Sequence, residues 1–194
     1  MSISIKGQGE GVKTIHRRPQ DHVGRFLLTS AAIWRIRDRY QTGLGGRMPK
    51  IFRWDLVVTE DMIDGNGHVN NVEYLRWMQD AAKHHSESRG CARAMQAMGA
   101  TWVVRAHRIE YLKPCFSGEH ISVLTWIASF RRVKSLRKYR ILRREDGALL
   151  VEAETDWIFM DRESGRLKSI PQEVVELFGM VPEGQEEEAL AALS

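Results

Sequence analysis

The chain has little of what marks secreted and membrane proteins. Its 194 residues include two cysteines, Cys91 and Cys115, which are too few for a framework of disulfide bonds. No apolar run approaches the roughly eighteen residues that a membrane-spanning helix needs. The longest N-terminal candidate, FLLTSAAIW, is bounded by Arg25 and Arg35 and lacks a convincing cleavage site. We therefore expect a cytoplasmic protein with no signal peptide and no integral membrane segment.

Acidic residues are scarce near the start of the chain. Residues 1–50 hold ten lysines and arginines against three acidic residues, a net charge of +7. Because the whole chain carries +4, residues 51–194 carry −3. A basic arm can contact nucleic acid or an anionic membrane, but it can equally be a solvated, poorly ordered extension. Since the part after the arm is net negative, we expect no nucleic-acid partner.

The composition divides the chain into three parts. Residues 1–47, with the glycine-rich pieces KGQGEG and TGLGG, are interpreted as a basic N-terminal extension. Because Met48 stands just before the first strong strand, an early start-site assignment is an alternative explanation of this extension. Residues 48–180 are the predicted domain, and residues 181–194 are an acidic C-terminal tail that we expect to be frayed.

Hydrophobic spacing in the domain predicts one long helix among strands. Residues 51–59 are rich in β-branched and aromatic side chains, which is typical of a strand. Residues 71–89 repeat apolar side chains at helical spacing, and shorter helices are expected at 92–99 and 171–179. Four more strand-like runs are expected at 101–112, 120–130, 135–145 and 149–161.

This order, a strand, a long helix and then a meander of four antiparallel strands, predicts the fold class. One amphipathic helix packed on one face of the sheet is the economical way to cover its apolar side. We therefore expect an α+β fold in which a curved antiparallel sheet wraps around one long helix.

The connection between the first strand and the long helix, DGNGHVNN at residues 64–71, is unusually polar. Asn70 is a strong candidate for the helix N-cap, and Glu73 three residues later completes a capping-box pattern. The amide of Asn71 then has no intrahelical partner and lies at the positive end of the helix dipole. A free donor there can hold an anion, or a carbonyl oxygen that becomes negative during a reaction.

Asp64 has two interpretations. Gly65 and Gly67 tolerate positive φ, so the loop can fold back and bring the carboxylate near the helix start. An ionised Asp opposite a free backbone donor would act as a base or nucleophile on an activated acyl carbonyl. Alternatively, Asp64, Asn66 and the glycines simply make a well-formed turn in which the carboxylate binds loop amides.

The longer stretch DMIDGNGHVNNVEYLRW resembles the signature of the hot-dog-fold thioesterases. The likeness is to the branch with 4-hydroxybenzoyl-CoA thioesterase and to bacterial and plant acyl-ACP thioesterases, and it covers roughly residues 50–178. GATWVVRAHRIEYLKPCFSGE and AETDWIFMDRESGRLKSIP extend it. The positions that match the family pattern are Asp64, Gly67, His68, Val69, Asn70, Asn71 and Tyr74.

The resemblance implies hydrolysis of an acyl-CoA or acyl-ACP thioester without a metal or redox cofactor. Asp64 would be the nucleophile or general base, and the Asn71 amide would polarise the thioester carbonyl. Asn66 and His68 match residues implicated in the plant enzymes, although His68 can also be a loop residue bonded to backbone. Family members pair so that the site lies between subunits, which implies a homodimer or tetramer. We assign substrate binding to Gly67, Asn70, Tyr74, Arg131, Arg132 and Lys134.

The plant enzymes add a carboxylate and a cysteine on the following strand. Cys115 can match the cysteine, but Pro114 stands where the acid is expected, which favours a scheme with Asp64 alone. Other hot-dog branches use a carboxylate within the long helix, so Glu73 and Asp80 remain weaker candidates.

Two rival functions stay open. A hot-dog hydratase adds water to enoyl thioesters through an Asp and a His, and DGNGH is similar to its motif. The spacing here is one residue short, and the proline expected before the His is missing. A non-catalytic acyl-binding domain would keep the groove and lose Asp64 or the donor.

Other polar residues have weaker signals. His84 and His85 point about 100° apart on a helix and have no partner at metal-ligand spacing, so we expect no metal site. His107 alternates with arginines on a strand and is interpreted as structural. The basic run FRRVKSLRKYRILRR suits the phosphates of CoA or an acidic carrier protein, or forms a solvated hairpin face. Its basic residues are Arg131, Arg132, Lys134, Arg137, Lys138, Arg140, Arg143 and Arg144.

Overall fold

The computed structural model describes residues 50–193, so the predicted extension at residues 1–47 lies outside the described residues. The long helix and the five strands form where hydrophobic spacing predicts them, with boundaries shifted by at most two residues. The strands are β1 (Phe52–Val57), β2 (Ala100–Tyr111), β3 (His120–Arg131), β4 (Lys134–Arg143) and β5 (Leu149–Asp161). The helices are α1 (Asn71–Ser88), α2 (Cys91–Ala97), α3 (Gln172–Phe178) and α4 (Glu186–Ala191), with a 3-10 turn at Glu60–Met62.

The five strands form one antiparallel sheet in the order β1-β3-β4-β5-β2. The predicted four-strand meander is therefore wrong for β2, which pairs with β5 at the sheet edge, while β1 lies beside β3. Residues 112–119 carry the chain between β2 and β3, and this connection is longer than the two to five residues of a typical hairpin loop. Irregular register in β2, β3 and β5 adds the local twist and bending of a curved sheet.

Helix α1 packs its apolar face against the concave side of this sheet. Its buried side chains recur at helical spacing and meet inward residues of the strands, among them Ile121, Tyr139 and Ile141. Removing each large apolar side chain from water contributes about 1.5–3 kcal/mol, and this burial fixes α1 on the sheet. The buried residues of α1 are Tyr74, Trp77, Met78, Ala81, Ala82 and His85.

The C-terminal tail is a docked helix, which corrects the expectation of a frayed end. In α4, Glu186 accepts a hydrogen bond from Lys138 at 2.8 Å, and Glu187 pairs with Arg140 at 2.5 Å. Leu190 adds apolar contact to a small cluster on the outer face of the sheet that contains Trp126. Two members of the basic run therefore face acidic groups of the same chain and do not form a free solvated surface.

Arg137 also departs from the predicted solvated hairpin face. Along β4 every second residue is buried, and Arg137 follows Ser135 and precedes Tyr139 on that inward side. The arginine is 4% exposed, so it lies between the sheet and α1. Within residues 50–193 no helix is both long and apolar enough to cross a membrane.

Candidate active site

The DGNGHVNN segment forms a tight hairpin that runs directly into α1. Ile63 and Val69 pair as an antiparallel bridge, and the Asp64 amide donates to the His68 carbonyl oxygen at 2.9 Å. The Gly67 amide donates to the Asp64 carbonyl oxygen at 3.0 Å, and Gly67 has a φ of 80°, which a residue with a Cβ rarely adopts. Gly67 therefore supplies the left-handed turn residue that the sequence predicts.

The Asp64 carboxylate holds this turn with one oxygen and leaves the other weakly engaged. Oδ1 accepts the backbone amide of Asn66 at 2.8 Å, whereas Oδ2 meets only the Asn66 side-chain nitrogen, at 3.4 Å. His68 Nδ1 lies 3.8 Å from Oδ1. The Asp64 side chain is 24% exposed, so water and a substrate can reach it. Both interpretations of Asp64 are compatible with this geometry, because turn formation occupies Oδ1 and leaves Oδ2 for chemistry.

The start of α1 is capped as predicted, with one difference. The Asn70 side-chain oxygen accepts the Val72 amide at 3.0 Å. The capping box is wrong, because the Asn70 amide donates to the Met62 carbonyl oxygen at 2.9 Å and is no longer available to Glu73. The Glu73 carboxylate instead pairs with Arg76 at 2.5 Å.

The Asn71 amide has no acceptor among residues 50–193, as expected for the first residue of a helix. Its carbonyl oxygen accepts a hydrogen bond from the Tyr111 hydroxyl at 3.3 Å, which ties the edge strand β2 to the helix start. The hairpin therefore places an accessible carboxylate and an unpaired, positively polarised N–H at the two ends of one short connection.

The base of the hairpin rests on the segment between β2 and β3. The Val69 amide donates to the Cys115 carbonyl oxygen at 2.9 Å. Tyr74 is buried beneath the hairpin and packs edge-on against Trp77 and Tyr111. Burial raises the pKa of the Tyr74 phenol, and the nearby Cys115 and Glu119 raise it further. Tyr74 is therefore a neutral wall residue.

The Cys115 thiol is not poised as a nucleophile. Burial, a hydrogen bond to Glu119 and the charge of that carboxylate raise the pKa of the Cys115 thiol to about 12. A thiol that stays protonated at neutral pH is a poor nucleophile, because the thiolate is the reactive form. Glu119 also pairs with Arg143 at 3.0 Å and accepts the Phe116 amide at 3.1 Å.

Sequence reasoning missed Glu119 and Tyr111 as neighbours of the site. Glu119 follows a turn at Gly118, and Tyr111 ends an alternating strand, so neither has a motif of its own. The only signal is indirect: both flank the connection that carries Cys115.

Several predicted residues lie away from the hairpin. Arg131, Arg132 and Lys134 surround the β3–β4 turn, ten or more residues along β3 from its start near Val58, a separation of about 30 Å. None of the three forms an ion pair within residues 50–193. Asp80 is exposed farther along α1. A single chain therefore does not bring the basic side chains to Asp64.

Three histidines on α1 and β2 have structural partners. His84 lies 3.6 Å from Glu87, and His107 Nδ1 lies 2.8 Å from the Thr155 hydroxyl. His85 is buried and stacks on Phe52 with 5.3 Å between ring centroids. Over the described part of the chain, no group of three or more His, Cys, Asp or Glu side chains is arranged to hold a metal ion.

Comparison with known proteins identifies the family. The profile of the acyl-ACP thioesterase N-terminal domain matches residues 49–178. The acyl-CoA thioester hydrolase YbgC of Escherichia coli O6:H1 is 27% identical over 132 residues, which cover 66% of this chain and 96% of that protein.

Two solved structures share the fold. The 1,4-dihydroxy-2-naphthoyl-CoA thioesterase Slr0204 of Synechocystis superposes with a TM-score of 0.60 at 18% identity, over 66% of this chain and 95% of that chain. The 12:0-ACP thioesterase of Umbellularia californica gives a TM-score of 0.60 at 20% identity, over 72% of this chain and 50% of that chain. The chain thus spans about half of the plant structure. Since the family profile covers about two thirds of its length, the chain belongs to the acyl-ACP thioesterase family and is a thioester hydrolase with the hot-dog fold.

Proposed function

We propose that the chain hydrolyses an acyl thioester of coenzyme A or of an acyl carrier protein, using Asp64 and the backbone amide of Asn71. The observation that carries this proposal is the hairpin, which joins an accessible Asp64 carboxylate to a helix start whose first amide has no acceptor within residues 50–193. Membership of the thioesterase family supports the reaction class.

In the proposed reaction the thioester carbonyl oxygen accepts a hydrogen bond from the Asn71 amide. As the carbon is attacked, charge develops on that oxygen, and a donor fixed at a helix start stabilises it more than it stabilises the ground state. The helix dipole adds to this effect because its positive end faces the developing charge.

Asp64 supplies the attack in one of two ways. As a general base, Oδ2 takes a proton from water while the water oxygen bonds to the acyl carbon. As a nucleophile, Oδ2 bonds to the acyl carbon, and water then hydrolyses the resulting anhydride. In both schemes the carbon–sulfur bond breaks, the thiolate leaves and takes up a proton, and the acid is released.

The other hairpin residues support Asp64. The Asn66 backbone amide holds Oδ1 at 2.8 Å and so sets the carboxylate orientation, while the Asn66 side chain makes only a 3.4 Å contact with Oδ2. His68 Nδ1, at 3.8 Å from Oδ1, is close enough to adjust that orientation when substrate binds. Gly67 and Asn70 shape the rim and Tyr74 the floor of the acyl entrance, as we infer from their positions in the turn, the cap and the core.

In this proposal a second copy of the chain completes the substrate-binding site. Arg131, Arg132 and Lys134 form no ion pair within residues 50–193 and lie at the far end of β3, about 30 Å along the strand from the hairpin, so we infer that they meet the substrate phosphates across a subunit boundary. We therefore propose a homodimer or larger homo-oligomer, in which each site takes its basic side chains from the neighbouring subunit.

The rival functions make different demands on the same residues. A hydratase needs the His68 ring to move a proton at an enoyl carbon, yet within residues 50–193 the polar contacts of the ring are with the Val69 carbonyl oxygen, at 3.5 Å, and with Asp64. A non-catalytic binding domain would have no use for an accessible carboxylate next to an unpaired helix amide. The hairpin geometry favours hydrolysis over both.

The test is hydrolysis of short, medium, long and aromatic acyl-CoAs by the wild type, Asp64→Asn and Asp64→Ala, followed by thiol release. We expect kcat to fall about 10²–10⁴-fold in both variants, because both remove the base or nucleophile. Asn66→Ala, which leaves Asp64 in place, should lose less. Unchanged kcat in the Asp64 variants would refute the proposed role. Wild-type inactivity on acyl-CoA calls for the same comparison on acyl-ACP and then on enoyl-CoA hydration.

A further inference from the structure

A cavity lies beside the C-terminal half of α1, away from the hairpin. It has a volume of about 320 Å³, and α1 contributes Gln79 and Ser86 to its lining. These residues follow Asn71 by eight and fifteen positions, which is about 12–22 Å along the helix axis. Its apolar walls are Trp102, Ile127, Phe130, Trp157 and Phe178.

Arg137 brings an uncompensated positive charge to the lining of this cavity. Its Nη1 atom donates to His85 Nδ1 at 3.0 Å and to the Thr125 hydroxyl at 3.1 Å, and both acceptors are neutral groups. The guanidinium carbon lies 5.5 Å from the centre of the Phe178 ring. Arg137 forms no ion pair with any carboxylate in residues 50–193.

A buried guanidinium with only neutral partners is unfavourable unless an anion binds to it. A buried ion without a counter-ion loses hydration free energy that neutral partners recover only in part. Both hydrogen bonds of the side chain come from Nη1, so Nε and Nη2 have no acceptor in the described part of the chain. These two nitrogens form one edge of the guanidinium, the edge that binds carboxylates in a bidentate way.

Two further polar groups of the cavity lining lack partners. Ser135 Oγ and Trp157 Nε1 are buried, and neither makes a hydrogen bond of normal length and angle within residues 50–193, although the Trp157 N–H lies near the Tyr139 hydroxyl. Because buried polar groups are nearly always paired, three side chains with unfilled donors in the lining of one cavity indicate a ligand that accepts hydrogen bonds. At the rim, Asp80 and Lys83 carry opposite charges, so the entrance does not repel an anion.

We propose that this cavity binds a small aromatic carboxylate, with the carboxylate on Arg137 and the ring between the aromatic walls. The planar guanidinium edge matches a planar carboxylate, and aromatic side chains pack well on a ring. The volume is about twice the roughly 150 Å³ of a cavity known to hold benzene, which leaves room for a substituted ring. This site goes beyond the proposed hydrolysis and does not depend on it.

The direct test is titration of the full chain with benzoate and with neutral benzamide, followed by calorimetry and by the indole N–H signals in a ¹H–¹⁵N NMR spectrum. We expect saturable benzoate binding at least tenfold tighter than that of benzamide, and a shift of the Trp157 indole signal. Trp157→Phe assigns that signal by removing it. Absent benzoate binding, or equal affinity for the two compounds, would overturn the site.

Matched variants locate the ligand. Trp157→Phe and Ser135→Ala each delete one unpaired polar group of the cavity and should weaken benzoate binding about fivefold, the usual effect of one hydrogen bond. Trp126→Phe is the control, because the Trp126 N–H is also buried and unpaired but its side chain belongs to the outer cluster. Equal loss in Trp157→Phe and Trp126→Phe would contradict the site.

Two more variants separate this cavity from the reaction site. Asp64→Asn should leave benzoate affinity within twofold, and a loss above tenfold would place benzoate at the hairpin and overturn the proposal. Arg137→Gln should abolish the preference for benzoate over benzamide if it folds. Trp157→Phe and Ser135→Ala decide the question if it does not fold.

Discussion

At the scale of single residues, Asp64 combines two tasks that sequence reasoning set against each other. Its Oδ1 closes the turn on the Asn66 amide at 2.8 Å, while Oδ2 has only a 3.4 Å contact and remains accessible. The turn thereby fixes the carboxylate to which we assign the attack in the proposed reaction. This explains how a loop of small polar residues can hold a reactive group in place without burying it.

Cys115 gives a prediction at this scale. Cys115→Ala should keep kcat within about threefold of wild type, because the raised pKa of the buried thiol makes it a poor nucleophile. Thiol release with the substrate panel measures this, and Asp64→Asn in the same assay shows the loss expected of a reacting group. A drop above tenfold in a folded Cys115→Ala protein would give the thiol a direct role in catalysis.

The hairpin also shows which contacts can be predicted from the sequence of single residues. Asn70 is the N-cap, and the Asn71 amide has no acceptor in the part of the chain that the structure describes, as the pattern of polar residues predicts. The capping box does not form because the Asn70 amide donates to the Met62 carbonyl oxygen instead of to Glu73. The sequence does not show that the 3-10 turn ending at Met62 lies next to Asn70. Local patterns identify the groups, but tertiary contacts decide which partners they take.

At the scale of elements, α1 is the member that both carries the site and fills the core. Its 18 residues begin at Asn71, whose amide is the proposed oxyanion donor, and bury one continuous face against the sheet. The position of the Asn71 amide is therefore fixed by packing many residues away, and core substitutions in α1 should reduce stability before they alter the chemistry.

Met78→Ala should lower the free energy of unfolding by about 2–5 kcal/mol, because it opens a cavity at a fully buried position of α1. Urea denaturation followed by circular dichroism measures the change. Gln79→Ala, at the next and exposed position, is the matched control and should stay within about 0.5 kcal/mol of wild type. Equal effects of the two substitutions would contradict the packing of α1 described above.

Element types were predictable, whereas their arrangement was only partly so. Alternation and helical spacing identify all five strands and the long helix, because those periodicities depend on which face is buried. The place of β2 beside β5 depends on the path of residues 112–119, and alternation carries no information about it. The docking of α4 depends on Lys138 and Arg140, and the sequence pattern suggested that these two side chains belong to a solvated face.

At the scale of the whole molecule, Arg137 and His85 join the sheet to the far end of α1. Burial, then the charges of Arg137 and Arg89, lower the pKa of His85 from 6.5 to about 2. The hydrogen bond from Arg137 requires an unprotonated Nδ1, which agrees with a neutral ring. Arg137 itself was foreseeable, since alternate residues from Ser135 to Ile141 point inward, but the basic run around it suggested a solvated face.

His85 makes stability depend on pH with a definite sign. In the folded state the ring stays neutral down to about pH 2, whereas in the unfolded chain it takes up a proton below pH 6.5. The unfolded state therefore binds more protons as pH falls below 6.5, and the folded state loses up to about 1.4 kcal/mol of stability per pH unit. Above pH 6.5 this contribution is constant.

Urea midpoints of the wild type and His85→Gln between pH 7.5 and 4.5 measure this effect. Gln can still accept a hydrogen bond from Arg137 but does not titrate, so the two stabilities should differ in slope below pH 6.5. Subtracting the unfolding free energies of the two proteins at each pH removes the contribution of the carboxylates, which both proteins share. Parallel pH profiles would show that His85 titrates in the folded state as it does in the unfolded chain.

The central claim is that the backbone N–H of Asn71 stabilises the reacting carbonyl, and Asn71→Pro tests it most directly. Proline is well tolerated at the first position of a helix, and Asn70 already has the extended backbone, ψ 134°, that precedes proline. The substitution therefore removes the N–H and keeps the helix, while Asn71→Ala changes the side chain and keeps the N–H. We predict a 10²–10³-fold loss of kcat in Asn71→Pro and little change in Asn71→Ala. Equal kcat in the two folded variants would contradict the account.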